Sequence, residues 1–199
     1  MPSPQTFLKK LENWKPIHLC WLFKRMGWKI PRYFIGNPDD VGDAAIDRNS
    51  NNTVGYTYMV DQNPADADGN VTEVQIYVHT QATISVGIFY ETGTKQFKCR
   101  SAASLGFRAV GYHSITGLSL AVQTGDLIGA YTAGGTIDLS TNIAGSYTVY
   151  YYNGNTCSVD NESTYGSAAT IAYAFSVYGI ISPAAGVANN PTLLILGVG

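Results

Sequence analysis

From Gly36 onward, apolar side chains recur at every second position in short bursts, and most bursts close on a turn built from Gly, Asn or Asp. In Val71 to Val78, the residues Val74, Ile76 and Val78 share one face of an extended segment, because successive side chains of a strand point to opposite sides. A helix needs spacings of three and four, so a period of two excludes it over these stretches. The same pattern predicts strands around Thr57 and Met59, at Val71 to Val78, Ile84 to Tyr90, Phe97 to Ser101, Leu105 to Val110, Leu118 to Val122, Leu127 to Tyr131, Tyr147 to Tyr152 and Ile171 to Tyr178. The turn signals ETGT, QTGD, AGGT and NGNT, and the turn-rich NPADADGN at 63–70, separate them. Eight or more short strands without intervening helical patterns predict an all-β fold, an antiparallel two-sheet sandwich of the jelly-roll kind.

The first 35 residues obey a different rule. They hold all three tryptophans and seven Lys/Arg against the single acid Glu12, a net of +6, while residues 36–199 hold five against thirteen, a net of −8. Ser3-Pro4 is a helix start, and Phe7, Leu11 and Trp14 recur on one face before Pro16. Ile17 to Lys29 supports a second short helix that Pro31 stops. Residues 1–35 therefore read as a basic, Trp-containing helical docking arm, 36–180 as the sandwich, and 181–199 as a linker with a final apolar strand, Leu193 to Val198. That strand either completes its own sandwich or adds to the sheet edge of a neighbour.

At 13% charged residues the chain relies on uncharged polar groups for solubility. No apolar run approaches the roughly 18 to 20 residues of a membrane span, and Ile17 to Phe23 is too short for a secretion signal. Cys20, Cys99 and Cys157 allow at most one bridge and leave one thiol over, which fits synthesis in a reducing cytoplasm.

Docking is assigned to Trp14, Trp21, Arg25, Trp28 and Arg32 in the arm, since Trp and Arg are favoured interface anchors, and to Leu194, Ile195 and Leu196 in the last strand. The same aromatic and basic mixture could meet phosphates and bases, which leaves a jelly-roll capsid protein with a nucleic-acid-contacting arm as a further alternative; docking on protein is favoured over it. Tyr150 and Tyr152 fall on one sheet face and Tyr151 on the other. With Asn153 and Asn155 of the following polar stretch, Tyr150 and Tyr152 form the candidate surface for a glycan, the alternative function being a carbohydrate-binding or adhesin module. Asp66, Asp68 and Asn70 place oxygen side chains at alternate positions, as the opening of a calcium loop does, but Val71 and Tyr77 stand where such a loop needs Gly and Glu. An ordinary hairpin turn is the favoured reading and no cofactor is expected; calcium is the cation those three residues would take.

Asp39, Asp40, Asp43 and Asp47 read as a solvated acidic stretch. His18, His79 and His113 lie far apart and form no recognisable relay. Gly117-Leu118-Ser119-Leu120-Ala121 lacks the last glycine of a nucleophile elbow, so Ser119 reads as a strand residue. No nucleophile, base and oxyanion donor can be assembled, and enzymatic activity is not expected.

From Ile35 to Gly179, the order IGNPDDVGDAAIDR, NPADADGNVTEVQIYVHT, VGIFY, VQTGDLIGAY and FSVYG resembles β-sandwich domains of phage and environmental viral structural proteins. The resemblance covers about three quarters of the chain, carries no catalytic residue, and implies a decoration, fibre or adhesin module of a virion. It also implies other virion subunits as partners and a homo-oligomer such as a trimer.

Overall fold

The computed structural model describes residues 39–141, 147–168 and 173–183. They form β1 (Asp40–Gly42), β2 (Ser50–Asn51), β3 (Tyr56–Val60), β4 (Gly69–Thr80), β5 (Ala82–Gly93), β6 (Gln96–Arg108), β7 (Gly111–Val122), β8 (Leu127–Ala133), β9 (Thr136–Thr141), β10 (Val149–Asn153), β11 (Glu162–Thr164), β12 (Gly166–Ala168), β13 (Tyr173–Phe175) and β14 (Val177–Pro183). The strands pair antiparallel in two sheets. Sheet 1 runs β1-β14-β4-β9-β13, with β7 on β4 and β2 on β9; sheet 2 runs β11-β6-β5-β8-β3-β10-β12.

One ribbon generates much of this. β5 and β6 pair from Gly93↔Gln96 to Ala82↔Arg108, and β4 and β7 continue the same pairing from Val78↔Gly111 to Gly69↔Val122. The ribbon turns a corner at Gln81 and Ala109–Val110, so each half joins a different sheet. Bulges at Ile84/Ser85 and Val71/Glu73 adjust the twist on either side of it, and Gly106 and Gly111 take positive φ values of 73° and 113° beside the corner, a conformation that favours glycine.

The main core lies between the sheets. Val74, Ile76 and Val78 of β4 face Ile84, Val86 and Ile88 of β5, all fully buried, with Val41, Ile128, Ala130, Ile137 and Val177 around them. A second cluster lies on the other face of sheet 2, formed by Met59, Phe89, Phe97, Cys99, Leu127, Cys157 and Tyr165. Residues 154–161 cover it on the way to β11 at the sheet's edge, held by Cys99 N–H to the Asn161 carbonyl (2.8 Å) and Asp160 N–H to the Cys99 carbonyl (2.9 Å). The Phe89 ring needs the glycines beneath it: a Cβ on Gly87 would stand 2.8 Å from the ring and one on the cross-strand Gly129 3.0 Å from it.

The sequence pattern placed the strands better than it bounded them. Phe97 to Ser101 and Leu105 to Val110, the latter up to Arg108, fall in one strand, β6, because the pairing to β5 continues through Ala102 to Ser104. β7 begins at Gly111, seven residues before the expected Leu118, and β1, β2, β9, β11 and β12 are absent from the strands the sequence pattern predicts. β14 extends to Pro183, so the sandwich runs past the expected boundary at 180. Asp43 is not part of a solvated stretch: it is buried, its carboxylate accepting from Phe175 N–H at 2.8 Å. The helices expected in the arm and the strand expected at Leu193 to Val198 lie outside the described residues.

Gly135 sits under the ribbon's corner. A Cβ there would lie 2.0 Å from the Gln81 carbonyl oxygen and 2.5 Å from that of Thr80, backbone atoms that no rotamer change can move aside. Gly135→Ala is therefore expected to cost about 1–3 kcal/mol, whereas Gly134→Ala, with open space around it, bears only the strain of its φ of 76°. Urea unfolding of the two variants checks this; equal midpoints would contradict the close approach.

Candidate functional site

The polar loop after β10 was the expected recognition surface, and its tyrosines are committed to packing. Tyr150 lies against Phe97 (centroids 4.7 Å) and Tyr152 against Tyr165 (5.6 Å), both on the side of the second cluster. Tyr165 meets Thr156 hydroxyl to hydroxyl at 2.5 Å, and burial drives its phenol well above the ordinary range. Tyr151 points the other way, opposite Gly166 on β12, where an added Cβ would stand 2.6 Å from the ring. Its ring fills the space over an edge glycine and tilts toward Tyr58, which continues to Tyr56 and Phe175. Tyr151 and Tyr152 remain partly exposed, at 37% and 36%, on opposite faces. Asn153 and Asn155 are exposed, and the Asn155 side chain accepts from Cys157 N–H at 2.9 Å.

A second site was not visible in the sequence. Residues 43–48 fold over the outer face of sheet 1 at β9 and β13, and Arg48 reaches under them. Its Nε donates to Ser176 Oγ (2.7 Å), its Nη1 to Ser140 Oγ (3.3 Å) and its Nη2 to the Ala44 carbonyl (2.8 Å), while its N–H donates to Asp138 Oδ2 (2.9 Å). The other oxygen of the fully buried Asp138 lies 2.7 Å from His79 Nδ1. His79 is thus half of a carboxylate–imidazole pair, with 41% of its side chain exposed. The two residues are 59 positions apart, on strands that pair only at their ends, which is why no spacing rule could find them. Such a pair can hold an imidazole in one orientation; the hydroxyls of Ser140 and Ser176 are occupied by Arg48.

The segment at 66–70 has its oxygens assigned to the protein. Asp66 Oδ1 accepts from Asp40 N–H (2.9 Å), Asp68 Oδ1 from both the N–H and the hydroxyl of Thr124 (2.7 and 2.9 Å), and Asn70 from Ser119 (3.5 Å). Two backbone bonds, Ala65 N–H to the Asp126 carbonyl and Gly125 N–H to the Ala65 carbonyl, both 2.8 Å, tie this turn to the turn at 123–126. The buried Asp126 pairs with the half-buried Arg100, whose Nε lies 2.6 Å away and whose guanidinium stacks on Tyr90. Among the described residues no group of three or more His, Cys, Asp or Glu is arranged to hold a metal ion. Burial pushes the Cys99 thiol to about 11 and raises Cys157 further, so neither is a reactive thiolate at neutral pH. Trp14, Trp21, Arg25, Trp28, Arg32, Leu194, Ile195 and Leu196 lie outside the described residues. Among the described residues no helix is long and apolar enough to cross a membrane.

Compared with known proteins, the chain matches no family model and no curated protein.

Burial raises the Asp43 carboxyl from 3.8 to about 6, against the lowering effects of the Phe175 N–H and of Arg48. Between about pH 4 and 6 the folded chain keeps a proton on Asp43 that the unfolded chain has released, so stability falls as pH rises through that window and levels off above it. Asp43→Asn, which resembles the protonated acid, should remove that part of the slope, on the order of 2–3 kcal/mol between the ends of the window. Urea unfolding of both chains from pH 4 to 8 measures it, and superimposable profiles would refute the assignment.

Proposed function

We propose that this chain is a non-enzymatic structural protein of a virion or similar assembly, a decoration or fibre-type subunit that docks through its amino-terminal arm and presents a jelly-roll sandwich. The observation that carries this reading is the strand order. Stripped of β2 and β9–β13, sheet 1 runs β1-β14-β4-β7 and sheet 2 runs β3-β8-β5-β6. In chain order these eight strands interleave as 1-8-3-6 and 2-7-4-5, the connectivity of two interlocked Greek keys. Jelly rolls of this connectivity recur in capsid and lectin domains.

The charge division supports the arm as the docking element. A segment of net +6 with three tryptophans precedes a domain of net −8, so the two parts favour different surroundings. Large aromatics on short helices gain most by burial against a partner, and Trp14, Trp21 and Trp28 with Arg25 and Arg32 are the anchors. In this reading the strand expected at Leu193 to Val198, with Leu194, Ile195 and Leu196, would pair with a sheet edge, its own or a neighbour's, and closed cyclic symmetry, a trimer for example, would satisfy the same contact in every subunit.

Light scattering on the full chain tests the reading. An oligomer is expected, and simultaneous Trp14→Ala, Trp21→Ala and Trp28→Ala should reduce it to a monomer with unchanged β-sheet circular dichroism. A full chain that stays monomeric at every concentration tried would reject it.

A further inference from the structure

Beside the part covered by residues 43–48, sheet 1 turns an open face to solvent. Because β4 buries Val74, Ile76 and Val78, its residues Glu73, Gln75, Tyr77 and His79 point outward. Register places Tyr178 of β14 opposite Gln75, Gln75 opposite Ser114 of β7, and Tyr77 opposite Tyr112. Tyr77 and Tyr178 are half-buried and Tyr112 is 52% exposed. From strand spacing and rise, the three tyrosines span about 12 Å, the length of a short oligosaccharide.

The polar groups between the rings are fixed in advance. Gln75 Nε2 and Ser114 Oγ both donate to Glu73 Oε1 at 2.8 Å and hold that carboxyl below its usual range, so it is a charged acceptor at neutral pH. The Tyr178 hydroxyl donates to Asp40 Oδ2 at 2.8 Å. The charge of Asp47 keeps the Tyr77 phenol protonated. The strands β1, β4, β7 and β14 contain no Lys or Arg.

We propose that this face of sheet 1 binds a neutral polysaccharide, with Tyr77, Tyr112 and Tyr178 stacking on sugar rings and Glu73, Gln75 and Asp47 accepting from their hydroxyls. Aromatic rings present the flat, polarisable surface that the C–H face of a pyranose covers. Carboxylates and an amide already oriented by neighbours accept from hydroxyls without first being ordered, which lowers the entropic cost of binding. The carboxylates of Glu73 and Asp47, with no Lys or Arg in these strands to offset them, repel phosphate, sulfate and uronate groups, so the ligand is rich in hydroxyls and uncharged. A protein partner would call for the aliphatic and aromatic centre that stable interfaces bury, whereas here carboxylates and an amide stand between the rings. None of these residues belongs to the arm, so a substitution on this face leaves the residues assigned to assembly unchanged.

Native affinity electrophoresis of the full chain through gels containing a β-1,4-xylan, a β-1,4-mannan or a mixed-linkage β-glucan, with dextran sulfate as the charged control, tests the proposal. At least one neutral polysaccharide should retard the chain and dextran sulfate should not, and Tyr112→Ala should weaken that retardation by about tenfold. Tyr112 is half exposed, so its loss does not endanger the fold. Absence of retardation by all three neutral polymers overturns the proposal, as does a Tyr112→Ala chain that migrates like the parent. Loss of retardation in Tyr152→Ala with Tyr112→Ala intact would move the site to β10 and also overturn it. Light scattering of Tyr112→Ala separates this result from assembly: an unchanged mass is expected, and a fall in mass would make the face a subunit contact.

Discussion

The corner of the β4–β7 ribbon is the constraint on which the rest of the sandwich depends. A two-stranded ribbon of this length cannot bury both faces by itself, so it bends and lays its two halves over one another with their valine and isoleucine faces inward. Once the bend is made, β14 has a place beside β4 and β8 a place beside β5. The bend is a backbone feature: bulges and glycines flank it, and Gly135 approaches closely enough that no side chain fits. Mispairing by one residue would turn Val74, Ile76 and Val78 outward, so burial fixes the register that the bend requires.

Sheet 2 is unusual for an antiparallel sheet in being buried on both faces over its centre. Phe89 explains how. Its ring lies over the Gly87–Gly129 pair, and this places a large apolar group on a face where alternation alone would set a polar one. The loop of residues 154–161 then has an apolar floor to cover, and Cys157, Tyr165 and Phe97 complete it. The short stretches VGIF and LIGA therefore carry paired information, since each glycine is needed by the same ring.

Strand type was readable because the period of two is imposed directly by burial of one face, as at Val74 to Val78. Strand ends were not, because they are set by pairing partners far away in sequence. The small-residue segment Ala102 to Ser104, too weakly patterned to read as strand, stays in β6 because β5 runs beside it. The mutual locking of the turns at 63–70 and 123–126 was hidden for the same reason: Asp68 and Asp126 look like ordinary turn acids until Thr124 and Arg100 are brought to them. His79 and Asp138 give the sharpest case. Neither lies in a motif, and only the crossing of β9 onto the end of β4 makes them neighbours.

What remains uncovered follows from what had to be covered. The outer face of sheet 2 holds Phe89 and Phe97 and must be roofed to exclude water from them. The β9–β13 end of sheet 1 holds the fully buried Asp138, a polar group tolerable there only when hydrogen-bonded, and residues 43–48 close over it with the half-buried Arg48 donating to it. The outer face of the β14–β4–β7 part carries none of the residues of the two buried apolar clusters and no buried charge. Its tyrosines and carboxylates are stable in water, so folding supplies no force to cover them. An exposed face that nonetheless orders Glu73 through two donors and fixes Tyr178 through Asp40 has its side-chain entropy already spent before any partner arrives. That pre-ordering, beside three partly exposed tyrosine rings, is the physical reason to look for a ligand there.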